Sequence, residues 1–168
     1  MSLEGEKRVA DIHADDAGGR RGRRGDGRKQ DVVYGQGYVA TTPESKDYHA
    51  ADLHLDVLSP EGAGPFPAVV VVHGGSFQNG SKRGTKAMDF VHGLVDEGFV
   101  CFVIDYRMTG DSPPAPAPWG NLLIQAAIHA SFVDTRTAVR FVRANAAAYH
   151  VDPAKIAVLG ESAGGFAS

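Results

Sequence analysis

Residues 155–165 read KIAVLGESAGG, an apolar run that passes without a break into a glycine-flanked serine. Ile156 to Leu159 do not alternate with polar residues, which is the pattern of a strand buried on both faces. Gly160-Glu161-Ser162-Ala163-Gly164 then fits G-x-S-x-G. In a chain with 21 glycines the pattern alone arises easily by chance. Its position is the informative part, because a nucleophile elbow is a sharp turn from a buried strand into a helix. Glycines around the serine permit a turn that a Cβ would obstruct.

Upstream, FPAVVVVHGGSF (66–77) repeats the theme, with the apolar run Ala68–Val72 ending in a glycine loop. Backbone N–H groups of such a loop can converge on one point, as an oxyanion hole requires. A helix is expected from Thr85 to Glu97, with Phe90, Val91, Leu94 and Val95 on its apolar side and Gly98 to end it. FVCFVID (99–105) reads as another buried strand. The four prolines and two glycines of TGDSPPAPAPWGN (109–121) exclude regular structure, and Trp119 is placed there as a pocket-lining side chain.

The next helix is expected over Ser131–Tyr149. Val139, Val142, Ala146 and Tyr149 form its apolar line, Arg136, Arg140 and Arg143 the opposite side, and Asp134 complements the dipole near its start. Before these units, DVVYGQGYVA (31–40) and ADLHLDVLSP (51–60) read as strands, the second with Leu53, Leu55 and Val57 on one face. Their short connection implies antiparallel pairing at one edge. Apolar strands separated by helices imply right-handed βαβ units, so the fold class is α/β with a mostly parallel sheet and flanking helices.

HGGSF, DYR at Asp105–Arg107 and VDPAKIAVLGESAGG together resemble the α/β-hydrolase superfamily, and within it the carboxylesterases and lipases of the hormone-sensitive-lipase type. The similarity covers about residues 31–168, the N-terminal half of such a domain. It implies Ser162 as nucleophile and the N–H groups of Gly75, Ser76 and Ala163 as oxyanion hole. Gly74 would let the loop bend and His73 would brace it. Ser76 stands where the common HGGG form has a third glycine. Gly160, Glu161 and Gly164 complete the elbow, with Glu161 a structural partner rather than the triad acid.

The superfamily's order is serine, then acid, then histidine, and only Ala163 to Ser168 follow Ser162. None of the upstream histidines (His13, His49, His54, His73, His92, His129, His150) has a motif that places it beside the serine. The expectation is therefore an apparently truncated hydrolase, cut after the elbow, with little turnover of its own. Its complete parent would cleave short-chain carboxylic esters through an acyl-enzyme. A peptidase or amidase on the same scaffold, and a non-catalytic binding protein, are the alternatives.

Composition bounds the remainder. Hydrophobic residues at 43% and charged residues at 22% are those of an ordinary globular chain. The net charge of -3 favours neither nucleic acid nor a membrane surface. Residues 1–30 carry 8 Lys/Arg and 6 Asp/Glu but nothing to build a core, so they read as a disordered basic tail, with residues 31–168 as the hydrolase portion. Cys101 lies among apolar neighbours and reads as a buried, unreactive thiol. No stretch approaches the roughly 18 apolar residues of a membrane helix, and no secretory signal is recognisable, so the expected location is cytoplasmic. Expected cofactors and metals are none, the expected partner is a small-molecule ester, and oligomeric state is left open.

Overall fold

The computed structural model describes residues 27–119 and 122–168. Five strands form one sheet in the order β1-β2-β4-β3-β5. β1 (Gly27–Ala40) and β2 (Tyr48–Ser59) form the antiparallel pair at one edge. β3 (Phe66–Val72), β4 (Val100–Ile104) and β5 (Val151–Gly160) run parallel to one another. Because β2 also meets β4 antiparallel, two of the four pairings are parallel, so the sheet is mixed rather than mostly parallel. The direct β1–β2 connection accounts for the first antiparallel pairing, since a strand returning without a crossover must run back against its neighbour.

β1 begins at Gly27, four residues before the expected boundary at Asp31. Arg28 and Lys29 pair with Leu58 and Val57 of β2, so the end of the expected tail is part of the sheet. The rest of that tail lies outside the described residues.

The helices cover both faces. α1 (Thr85–Asp96) packs Ala87 and Val91 on Leu58, Val69, Val71, Cys101 and Val103. α2 (Leu123–Ala144) packs Ala127, Ala138 and Val142 on Leu53, Leu55, Val57, Val70, Val72, Phe102 and Ile104. Alternating residues of the same strands serve the two clusters, which is why Val69–Val72 and Val100–Ile104 are apolar without a gap. Cys101 is fully buried, and burial pushes its thiol up to about 12. Val91 holds its expected place in α1, whereas Phe90 is half exposed.

α2 starts at Leu123, eight residues ahead of the expected Ser131. Ala126, Ala127 and Ala130 continue the buried stripe backwards at helical spacing. Asp134 is therefore an interior residue of α2 and not a partner of its N-terminal dipole. It is buried and takes the Arg107 guanidinium on both carboxylate oxygens. After α2, a short 3-10 turn (Ala146–Tyr149) brings the chain to β5. Trp119 sits 6.2 Å from His129 between ring centroids and does not line the cleft described next. Among the described residues, no helix is long and apolar enough to cross a membrane.

Candidate active site

β5 pairs with β3 in register, Val72 opposite Gly160, so the two glycine-rich segments leave the same end of neighbouring strands. Glu161 N–H donates to Val72 O at 3.2 Å and extends that pairing by one residue. The chain then turns at Ser162, whose φ of 54° and ψ of -116° lie outside the regions L-residues ordinarily adopt. The five-residue helix α3 (Ala163–Ala167) begins immediately after it. A strained non-glycine residue between strand and helix is the backbone geometry that a nucleophile elbow requires.

The turn depends on close approach at Gly164, where a Cβ would overlap the Val72 carbonyl oxygen. Gly164→Ala is therefore expected to cost about 1–3 kcal/mol, the range for overpacking an interior site. At Gly165 the nearest atom to an added Cβ is Gly160 O, at an ordinary 3.4 Å. Gly165→Ala is expected to be neutral or mildly stabilising, and urea midpoints of the two variants measure the contrast.

On the β3 side, Gly75 (φ 126°), Ser76 (φ 55°) and Phe77 (φ 60°) form three consecutive positive-φ residues. A Cβ on Gly75 would overlap Asn79 O, so this position requires glycine. Ser76 occupies a left-handed conformation that glycine adopts freely, which accounts for a glycine there in the common HGGG form. Ser76→Val, which puts a β-branched side chain in this conformation, is expected to lower the unfolding midpoint. The N–H groups of Gly75, Ser76 and Ala163 donate to no acceptor among the described residues.

Ser162, Glu161, His73, Gly74, Gly75 and Ser76 line one open cleft of about 460 Å³. Six of the nine residues expected at the site thus share a wall. Gly160, Ala163 and Gly164 stand behind it, the last two buried. The Glu161 side chain lies over Gly74 and its Oε1 is 3.6 Å from Lys86 Nζ. His73 is buried; its Nδ1 lies 2.7 Å from Gly74 O, and its ring stacks on Tyr106 at 4.5 Å. The Tyr106 hydroxyl donates to His73 O at 3.0 Å, and burial pushes its pKa up to about 12. His73 is the only histidine on the cleft wall among the described residues.

Residues beyond the two motifs complete the cleft: Asn79, Gly80, Ser81, Gly84, Lys86 and Ala87. Behind them lies an ion network that sequence reading did not find. Lys82 Nζ bonds Asp105 Oδ2 at 2.7 Å and Asp31 Oδ1 at 2.9 Å, while its backbone N–H donates to Asp105 Oδ1 at 2.7 Å. Arg83 donates to Asp56 and Asp31, each at 2.8 Å. These bonds tie the segment after the glycine loop to β1, β2 and the end of β4.

The network shifts its members' pKa values. Hydrogen bonds from Arg83 and Lys82 pull Asp31 down to about 2. Burial works to raise Asp56, but bonds from Arg83 and from the Asp31 N–H outweigh it, and its pKa is lowered. Burial likewise opposes the Lys82 charge, and Asp105 with Asp31 overrides it, so its pKa is raised. Carboxylates with depressed folded pKa values stabilise the fold above their unfolded pKa near 4 and lose that contribution as pH falls toward 2. Stability is expected to drop across pH 4 to 2, with a shallower drop in Asp31→Asn; equilibrium unfolding against pH measures both. Among the described residues, no group of His, Cys, Asp and Glu is arranged to hold a metal.

Serine at a strained strand–helix turn beside a glycine loop on the neighbouring strand, in a mixed sheet with helices on both faces, defines an α/β-hydrolase. The chain belongs to the BD-FAE family, whose model matches residues 55–168. It is 31% identical over 118 residues to the neuroligin-like protein glit-1 of Caenorhabditis elegans, covering 67% of this chain and 14% of that protein. Over 105 residues it is 31% identical to the Mycobacterium tuberculosis protein named "Probable carboxylic ester hydrolase LipM", covering 62% of this chain and 21% of the relative. Among solved structures it is similar to a thermophilic esterase, Est2, from the Planctomycetes species Thermogutta terrifontis. That match has 26% identity and a TM-score of 0.57, and covers 84% of this chain and 42% of the esterase. The chain thus spans less than half the length of each of these relatives.

Proposed function

We propose that Ser162 is the nucleophile of a carboxylic-ester hydrolase acting on short-chain esters. The observation that carries this reading is the shared cleft: a strained serine and a loop of unpaired N–H donors lie on one wall. Family membership and the similarity to Est2 and LipM support it. Ser162 Oγ would add to the ester carbonyl carbon, with the N–H groups of Gly75, Ser76 and Ala163 holding the oxyanion. The alkoxide would leave with a proton, and water would then cleave the acyl-serine to release the acid.

The proton on Ser162 needs an acceptor, and the one histidine on the cleft wall among the described residues, His73, is buried with Nδ1 on Gly74 O and Nε2 toward Asp105. Turnover by this chain is therefore expected to be slow, and a small external base such as imidazole should raise it through the open cleft. The test is hydrolysis of p-nitrophenyl butyrate with imidazole, beside Ser162→Ala in the same buffer. Release above the variant's background supports the proposal; equal release from both chains overturns it.

A further inference from the structure

The peptide between Gly74 and Gly75 carries two groups with different duties. Its carbonyl oxygen lies 2.7 Å from His73 Nδ1, and its N–H is the oxyanion donor assigned to Gly75 above. A carbonyl only accepts, so Nδ1 bears a proton and donates it. In a planar trans peptide C=O and N–H point in opposite directions. Holding the oxygen toward His73 therefore aims the Gly75 N–H away from it.

A neutral imidazole has one proton, and placing it on Nδ1 leaves Nε2 bare. His73 Nε2 is buried without a hydrogen-bond partner, and it faces Asp105 Oδ1 at 3.8 Å. A free carboxylate there would favour the other neutral tautomer, with a proton gained on Nε2 and the Nδ1 proton lost to solvent, which ends the bond to Gly74 O. Lys82 prevents this: its buried ammonium and its own backbone N–H occupy both oxygens of Asp105. Tyr106 stacks on the face of the ring and Gly80 lies against its edge, while the Glu161 carboxylate lies over the neighbouring Gly74 on the same cleft wall, beside Lys86. Asp31 Oδ1 at 2.9 Å and Asp56 Oδ1 at 4.0 Å also hold the Lys82 ammonium in place.

We infer that Lys82 is a positioning residue for the oxyanion loop: by neutralising Asp105 it keeps the His73 proton on Nδ1, and so keeps the Gly74–Gly75 peptide turned for Gly75 N–H to meet substrate. The inference rests on the reading of Gly75 as a donor. Two readouts separate the inference from that reading.

The first is long-range ¹H–¹⁵N NMR of the His73 ring in the full chain at pH 8. Wild type is expected to show the neutral Nδ1–H form, and Lys82→Met a proton on Nε2. Lys82→Gln, which keeps a donor but no charge, serves as the second variant should Lys82→Met fail to fold, with the same expected proton on Nε2. Lys82→Arg should retain Nδ1–H. Adding Asp105→Asn to Lys82→Met should restore it, because the amide is uncharged and can donate to Nε2. The second readout is capture of Ser162 by an alkyl fluorophosphonate, expected to slow at least about tenfold in Lys82→Met and to recover in the double variant. A purely structural role would leave the double variant as slow as the single one. A wild-type ring protonated on Nε2, or a ring unchanged by Lys82→Met and Lys82→Gln, overturns the inference. Wild type that reacts with no fluorophosphonate would sink the Ser162 reading while the NMR result still decides the role of Lys82.

Discussion

Ser162→Cys is expected to take up one butyryl group per chain from p-nitrophenyl butyrate at pH 8, while Ser162→Ala takes up none. A serine hydroxyl needs a base to attack, and among the described residues the one imidazole on the cleft wall, His73, is buried with Nδ1 on Gly74 O. A thiol supplies its own nucleophile, since an ordinary cysteine with pKa near 8.5 is about a quarter ionised at pH 8. The N–H donors would still stabilise the oxyanion formed during thiol attack. The new thiol should therefore outpace a small-molecule thiol of equal pKa by about 10²-fold, the scale of one oxyanion donor. The native thiol at Cys101 will not compete, being fully buried with its pKa pushed up to about 12. Uptake followed by intact mass gives the stoichiometry, and uptake no faster than that of the free thiol would leave the glycine loop without an oxyanion role.

Asp134→Ala is expected to be the most destabilising change outside the cleft. Arg107 donates from Nε and Nη2 to the Asp134 carboxylate, the shortest bond being 2.6 Å, and its backbone N–H adds a bond at 3.0 Å. Its remaining terminal nitrogen donates to Tyr38 O at 3.1 Å, linking α2 through the end of β4 to β1. Both side chains are buried, so removing the carboxylate strands a guanidinium in a medium that solvates it poorly. The expected loss is about 3–5 kcal/mol, the usual cost of breaking a buried pair. Arg107→Met combined with Asp134→Leu should cost less than Asp134→Ala alone, because no charge is left unpaired. Urea unfolding curves of the three proteins measure this, and a loss below about 1 kcal/mol for Asp134→Ala would mean that water reaches the pair.

What was legible in the sequence followed from how local each signal is. Ala68–Val72, Val100–Ile104 and Ile156–Leu159 announce doubly covered strands because each residue must face one apolar layer or the other. Leu53, Leu55 and Val57 mark the face of β2 turned toward α2, yet Asp56 between them is also buried, where Arg83 pairs with it. The start of α2 was obscured because the proline-rich stretch before it suggested loop as far as Asn121. The alanine stripe of Ala126, Ala127 and Ala130 is a faint hydrophobic signal beside bulkier residues. Asp134 looked like a dipole partner once its helix was started too late.

The site divides in the same way. Ser162 and the loop from His73 to Ser76 are contiguous motifs whose backbone geometry is encoded where they stand. The ion network behind them is not contiguous: Asp31, Asp56, Lys82 and Asp105 come from two strands, a loop and a strand end. Their meeting is a product of strand order. Adjacent cations at Lys82-Arg83, immediately after a glycine loop, were the one local hint that something acidic lies beneath.

Peptide mapping of the wild-type chain after exposure to an alkyl fluorophosphonate with imidazole decides whether Ser162 is the reactive group of this cleft. A single phosphonyl adduct is expected on the peptide ending in residues 159–168, located at Ser162 and absent from Ser162→Ala. An adduct at Ser76 or Ser81 instead, or equal labelling of Ser162→Ala, would contradict it.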